Sequence, residues 1–365
     1  CIFYIKIRGK MQVTKKTISL LLALVMVLTL FTGCAKPAEQ PAGPAEETPA
    51  APEAPKYSFG MVTDVGGIGD KSFNDSAWAG IDKAAKELGV EAKLLQSTKQ
   101  DDYTPNLGSM AQSVDLTMAV GFLFEDAMKT SADQYADKKF GVIDTVVDKP
   151  NVMSVTFKEH EGSFLVGVIA GLTTKSNVIG FVGGMDFPVI VKFEAGFIAG
   201  VKSANPNAKV IVNYTGAFDN PDKGKEVALT QHQQKADVIF HASGACGIGV
   251  IQAADEKDFW AIGVDMDQSA ESKKNKVLAS MIKRVDVATY TVIKAYADDK
   301  FNGGAANAIE LGLKEEGVGY SDGGKNVSAE LAAVVDKYKA AINDGTIVVP
   351  GTREDLETFK PVEIK

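Results

Sequence analysis

The stretch YSFGMVTDVGGIGDKSFNDSAWAGIDKAAKELGVEAKLL, residues 57–95, decides the fold. Residues 57–63 read as a strand and 90–95 as another. Between them, 70–88 reads as a helix whose apolar positions Phe73, Ala77, Ile81, Ala84, Ala85 and Leu88 recur at helical spacing. The same switch of period continues along the chain. Strands are expected at 116–123, 140–143 and 152–157, with helices at 105–114 and 127–135. After Gly162 the alternation restarts, with helices at 163–172, 189–203, 223–234 and 248–257 and strands at 178–182, 209–214, 238–241 and 260–264. Strands alternating with helices of about 10–15 residues mean βαβ units and parallel sheets. Two such runs predict an α/β protein of two doubly wound lobes. A strand at 277–282, a helix at 285–297 and the segment 308–313 then look like a return visit, and a helix at 329–343 follows. The expected division is 57–158 for the first lobe, with 285–308 returning to it, and 159–284 for the second, with 309–365.

The N-terminal side says where such a protein operates. Residues 1–10 read as upstream sequence and Met11 as the start. Lys15-Lys16, the apolar run 18–31 and Thr32-Gly33-Cys34 form a charged, an apolar and a small-residue region in the order of an export signal. The apolar run falls short of the ~18–20 residues that a spanning helix needs, which disfavours a signal-anchor helix. Phe31-Thr32-Gly33-Cys34 resembles the bacterial lipobox, with Phe31 where leucine is usual; Cys34 is the expected lipidation site. Six of the 13 prolines then fall within 35–56, among Ala and Glu. That composition cannot bury a core and makes a stiff spacer. With Cys34 lipidated, the mature chain retains one thiol, Cys246, so no intramolecular disulfide can form. The expectation is a lipid-anchored protein on the extracytoplasmic face of the cell membrane.

The formal net charge of the chain is −8. Residues 1–33 hold five basic residues and no acidic one, so the chain beyond them carries −13. Nucleic-acid affinity is built on neutralising phosphates with Lys and Arg, so that class of partner is excluded. The loop Asp64-Val65-Gly66-Gly67-Ile68-Gly69-Asp70-Lys71-Ser72 sits where a phosphate cradle would. A P-loop needs Gly directly before Lys-Ser, and here Asp70 stands in that place, where it would repel a phosphate. The dinucleotide fingerprint fails as well, because its third glycine falls on Ser72. A helix start with Asp70, Ser72, Phe73, Asn74 and Asp75 remains. Its plain reading is capping by Asp70. Phe73 flanked by Asn74 and Asp64 at a strand end also suits stacking and hydrogen bonding to a flat polar ligand.

Gly69-Asp70-Lys71-Ser72-Phe73-Asn74 resembles the signature of the basic membrane protein family, whose best-understood members are purine nucleoside receptor lipoproteins. Further similar segments follow in order. They are Gly121-Phe122, Ile143-Asp144, residues 157–171, Phe181-Val182-Gly183-Gly184-Met185, Gly216-Ala217-Phe218-Asp219-Asn220-Pro221, Gly263-Val264-Asp265-Met266-Asp267-Gln268 and Ser280-Met281-Ile282-Lys283-Arg284-Val285. Together they span about 57–350. The resemblance implies a fold like type I periplasmic binding proteins, in which three hinge crossovers join two α/β lobes that close on a ligand. It implies that Phe73 and Phe218 sandwich a base, with Phe187 competing for the second place. It also implies that Asp64, Asn74 and Asp144 read the base edge, and that Gly244, Asp265 and Lys283 hold the ribose, with Asp267 competing with Asp265. The implied role is a substrate-binding lipoprotein, monomeric and without a cofactor, that delivers nucleosides to the permease of an ABC importer. A purine suits such a site physically: two rings cover its faces, and carboxylates and amides match its alternating donors and acceptors. The alternatives are the same fold binding a sugar or other small polar ligand, or a surface interaction protein.

Enzyme readings find little. His160, His232 and His241 fit no zinc-protease motif, and no nucleophile elbow is present. His241 and Cys246 lie close in sequence, yet a small buried thiol beside Gly244 and Gly247 is the ordinary explanation. Asp265-Met266-Asp267 opens like a calcium loop, but its sixth position is Ala270 and its twelfth Lys276. No catalytic residue, metal or cofactor is expected.

Overall fold

The computed structural model describes residues 57–364. The expected export signal, the lipidation site Cys34 and the spacer lie outside the described residues. Ten helices and twelve strands alternate among those described. The first run is β1 (Phe59–Thr63), α1 (Phe73–Leu88), β2 (Lys93–Gln96), α2 (Tyr103–Ser113), β3 (Leu116–Val120), α3 (Glu125–Gln134), β4 (Lys139–Ile143) and β5 (Val152–Phe157). The second comprises α4 (Glu159–Thr173), β6 (Val178–Gly183), α5 (Pro188–Ala204), β7 (Lys209–Tyr214), α6 (Pro221–Gln233), β8 (Val238–Ala242), α7 (Cys246–Lys257), β9 (Trp260–Asp265) and β10 (Val277–Lys283). Then come α8 (Val285–Ala297), β11 (Ile309–Leu311), β12 (Val318–Ser321), α9 (Ala329–Asn343) and α10 (Arg353–Thr358).

These strands build two six-stranded sheets, ordered β11-β5-β4-β3-β1-β2 and β12-β10-β9-β8-β6-β7. Every described pairing is parallel except β10 with β12. Central strands such as β1, β3 and β8 are buried at every residue, as strands covered on both faces by helices must be. The outer strands β2 and β7 start on Lys93 and Lys209 and are largely open, which suits sheet edges. Among the described residues no helix is long and apolar enough to cross a membrane.

The chain passes between the sheets three times, at 157–159, 283–285 and 311–318. Two lobes, each built on one sheet and joined by three crossovers, are the architecture that the family resemblance implies. The crossovers are tied side by side: Lys158 N–H donates to the Leu311 carbonyl (3.0 Å) and Arg284 N–H to that of Gly317 (2.8 Å). One boundary differs from the sequence reading. The sequence reading puts the segment from 309 with the second lobe, whereas Ile309–Leu311 pairs with Val155–Phe157 and extends the first sheet. The third crossing follows Leu311, and β12, which periodicity missed, returns the chain to the second sheet. Its four residues pair antiparallel with Ser280–Lys283, far away in sequence.

Candidate functional site

Open parallel sheets place ligands beyond the carboxyl ends of their strands. Here the strand ends of both sheets face one another around a cavity. All eight ligand-site residues named from sequence line it: Asp64, Phe73, Asn74, Asp144, Phe218, Gly244, Asp265 and Lys283. Phe187, the competitor of Phe218, does not line this cavity; it is 39 % exposed at the outer mouth. Asp267, the competitor of Asp265, points elsewhere and accepts from Ser269 N–H (2.9 Å) and the Ser321 hydroxyl.

The first lobe contributes a carboxylate–amide cluster. Asp70 does cap α1, taking the backbone N–H groups of Ser72 (3.0 Å), Asn74 (2.8 Å) and Asp75 (3.1 Å). That is why the helix starts at Phe73 and not at 70. The Asn74 amide then donates to Asp64 Oδ1 (2.9 Å) and to Asp70 Oδ2 (3.2 Å). Its own carbonyl Oδ1 is buried with no hydrogen-bond partner among the described residues. Burial lifts the Asp64 carboxyl to about 6 against the pull of Asn74 and Gly66. The cluster is therefore rich in acceptors that ask for donors on a ligand.

Asp144 and Asp265 occupy equivalent places, immediately after β4 and at the end of β9. Both adopt the left-handed region, with φ of 72° and 65°. That costly conformation turns each carboxylate into the cavity. Asp265 accepts a hydrogen bond from the Ser72 hydroxyl across the cleft, and burial raises it to about 7. Asp144 Oδ2 accepts from Lys283 Nζ (2.6 Å), while its Oδ1 is buried and unpartnered among the described residues. Lys283 is buried among the rings of Phe73, Phe157 and Phe193, with Nζ 4.9–5.5 Å from their centroids. Burial opposes its charge, but Asp144, Glu159 and Asp265 outweigh that and hold its pKa above the ordinary lysine value. Sequence reasoning assigned Asp144 to a base edge and Lys283 to a sugar. The geometry joins the two as an ion pair, with Glu159 Oε1 3.1 Å from the same ammonium.

The second aromatic wall depends on a glycine. The Phe218 ring lies directly on Gly184, where any Cβ would collide with it. Phe122 crosses from the first lobe to meet Phe218 edge-on (6.2 Å) and Phe187 in a tilted contact (5.1 Å). Phe122, Phe193, Asp70 and Ser243 also line the cavity and were not named as site residues. The Gly121-Phe122 pair after β3 was the available signal for the first. A second cross-cleft bond runs from Gln268 Nε2 to the Lys71 carbonyl (2.8 Å).

The Cys/His pairing imagined from sequence does not form. His241 Nε2 donates to Gln268 Oε1 (2.9 Å), and burial lowers its pKa to about 4, so the ring is neutral. The Cys246 thiol faces the Ala217 carbonyl (3.4 Å), and burial raises its pKa. A thiol kept protonated and away from a base is not a nucleophile.

The family model "ABC transporter substrate-binding protein PnrA-like" matches residues 58–353. The chain is 42% identical over 316 residues to the CD4+ T-cell-stimulating antigen of Listeria monocytogenes, covering 80% of this chain and 88% of that one. It is 37% identical over 312 residues to the ABC transporter nucleoside-binding protein BmpA of Lactococcus lactis, with 80% and 88% covered. Among solved structures, the ABC transporter solute-binding protein from Aeropyrum pernix is similar with a TM-score of 0.75 and 30% identity. The match covers 83% of this chain and 96% of that one.

Proposed function

The chain belongs to the PnrA-like family of ABC transporter substrate-binding proteins, and from that premise we propose that it captures purine nucleosides between its lobes and delivers them to an importer. One observation carries the reading. A single cavity gathers two aromatic walls, Phe73 and Phe218, with carboxylate and amide acceptors at one end and the Asp144–Lys283–Asp265 group beside them. A flat base between rings gains roughly 1–3 kcal/mol by stacking. The unpartnered Oδ1 atoms of Asn74 and Asp144 accept from its N–H groups or from sugar hydroxyls. The nucleoside-binding relative from Lactococcus supports the same class of ligand. Mass spectrometry of small molecules released from natively purified protein tests it, with nucleosides as the expected cargo. A sugar in their place, together with no heat of binding for inosine, would overturn it.

Charge makes a sharper prediction. Asp64, Asp70, Asp144 and Asp265 line the cavity with Lys283 as the lone lining cation among the described residues. Inosine monophosphate should therefore bind at least about tenfold more weakly than inosine, since its phosphate meets four acidic side chains against one lysine. Calorimetric titration of both ligands reads the difference, and tighter binding of the monophosphate would refute the assignment.

We also propose that the protein is a monomer held to the extracytoplasmic face of the membrane by lipid on Cys34. The Pro-rich spacer of 35–56 supports this, because it gives a tethered receptor reach. Two relatives from Pyrococcus species bear the name lipoprotein. Cys34→Ala should move the protein from the membrane fraction to the soluble fraction. Unchanged membrane retention would favour an uncleaved anchor helix.

A further inference from the structure

We propose that Glu159, which does not line the cavity, is the positioning residue that keeps the Lys283 ammonium in place when a ligand hydroxyl takes over its bond to Asp144. The assignment rests on the nucleoside reading and deepens it. Glu159 is the first residue of α4 and is 1 % exposed. Its Oε1 lies 3.1 Å from Lys283 Nζ. Its Oε2 makes no hydrogen bond, and its nearest cation is Lys192 Nζ at 3.4 Å. A carboxylate buried this deeply is costly unless it meets a cation, and the N-terminal end of α4 adds a favourable field. Lys283 thus holds two carboxylates of different kinds. Asp144 lines the cavity and keeps one oxygen free, whereas Glu159 is withdrawn behind it.

Their places in the fold separate their tasks. Lys283 ends β10 at the second crossover, and Glu159 starts α4 at the first. Those crossovers are tied through Lys158–Leu311 and Arg284–Gly317, so the Lys283–Glu159 contact lies within the hinge itself. The Lys283–Asp144 contact reaches from the hinge to the tip of β4 in the first lobe, so ligand entry and lobe movement act on it. If Asp144 were the sole counter-charge, a hydroxyl inserting between it and Lys283 would leave a buried ammonium without an anion. Glu159 removes that penalty and makes the exchange accessible.

Calorimetry on the full chain with inosine and 2′,3′-dideoxyinosine decides the matter. Glu159→Gln should weaken inosine by about tenfold or more, the loss expected for a hydrogen bond to a charged group. Dideoxyinosine, which lacks the hydroxyls, should change little, so the preference between them shrinks. A purely structural role would weaken both ligands in parallel, and that result, or an unchanged inosine affinity, overturns the proposal. Should Glu159→Gln fail to fold, Glu159→Asp retains the charge but draws it back from Lys283, and the same selective loss is expected. If the unaltered protein binds neither ligand, the nucleoside reading itself falls and this assignment falls with it.

Discussion

Lys283→Met should destabilise the ligand-free protein by about 3–5 kcal/mol, the scale for removing one partner from a buried ion pair. Methionine keeps the apolar stem against Phe73, Phe157 and Phe193, so packing changes little. The lost charge is what counts. Asp144 Oδ2 and Glu159 Oε1, at 2.6 and 3.1 Å from Nζ, would face each other in a dry site with only Lys192 nearby. The sign with pH follows. Acid protonates stranded carboxylates, so the deficit should be largest near pH 8 and shrink toward pH 4. Denaturant unfolding of both proteins at the two pH values reads it. A deficit independent of pH would assign the loss to packing.

Asp265→Asn should act in the opposite direction on stability while impairing binding. The folded protein holds the Asp265 proton to about 7, against an ordinary value of 3.8, because burial penalises the carboxylate. A raised carboxyl pKa means that the folded state binds the proton more tightly than the unfolded chain. Its contribution is therefore most favourable below pH 4, declines as pH climbs toward 7, and is flat beyond. The decline is on the order of 4 kcal/mol. Asparagine cannot ionise yet can still accept the Ser72 hydroxyl. The variant should thus match the unaltered protein at pH 4 and exceed it at pH 8. It should also lose roughly tenfold or more in inosine affinity, with most of the preference over the dideoxy analogue. A variant less stable at pH 8 would mean that the carboxylate is satisfied in the closed cleft.

Period and spacing located α8 and α9 at their observed bounds, because long amphipathic helices write their pattern locally. They missed β12, whose four residues become a strand only by pairing with Ser280–Lys283, and the single-turn α10, which Arg353 fastens to Glu194 and Asp186. At the site, motif resemblance named residues that converge on one cavity. It could not choose between Asp265 and Asp267, since the choice turns on a left-handed backbone at Asp265. Glu159 was invisible for another reason. It precedes the helix expected at 163–172, and nothing local marks it until a lysine 124 positions away is packed onto it.

The late position of β11 bears on biosynthesis. A ribosome delivers β1 to β5 early, yet the strand that covers β5 comes only with residues 309–311, after the whole second sheet but β12. Until then Val152–Phe157 presents an open parallel edge, and β10 lacks its antiparallel neighbour until residue 321. Uncovered edges invite pairing with other chains. A polypeptide truncated between 158 and 308 would therefore lack a finished first lobe, and a nascent chain must stay unfolded or escorted until nearly all of it has been made.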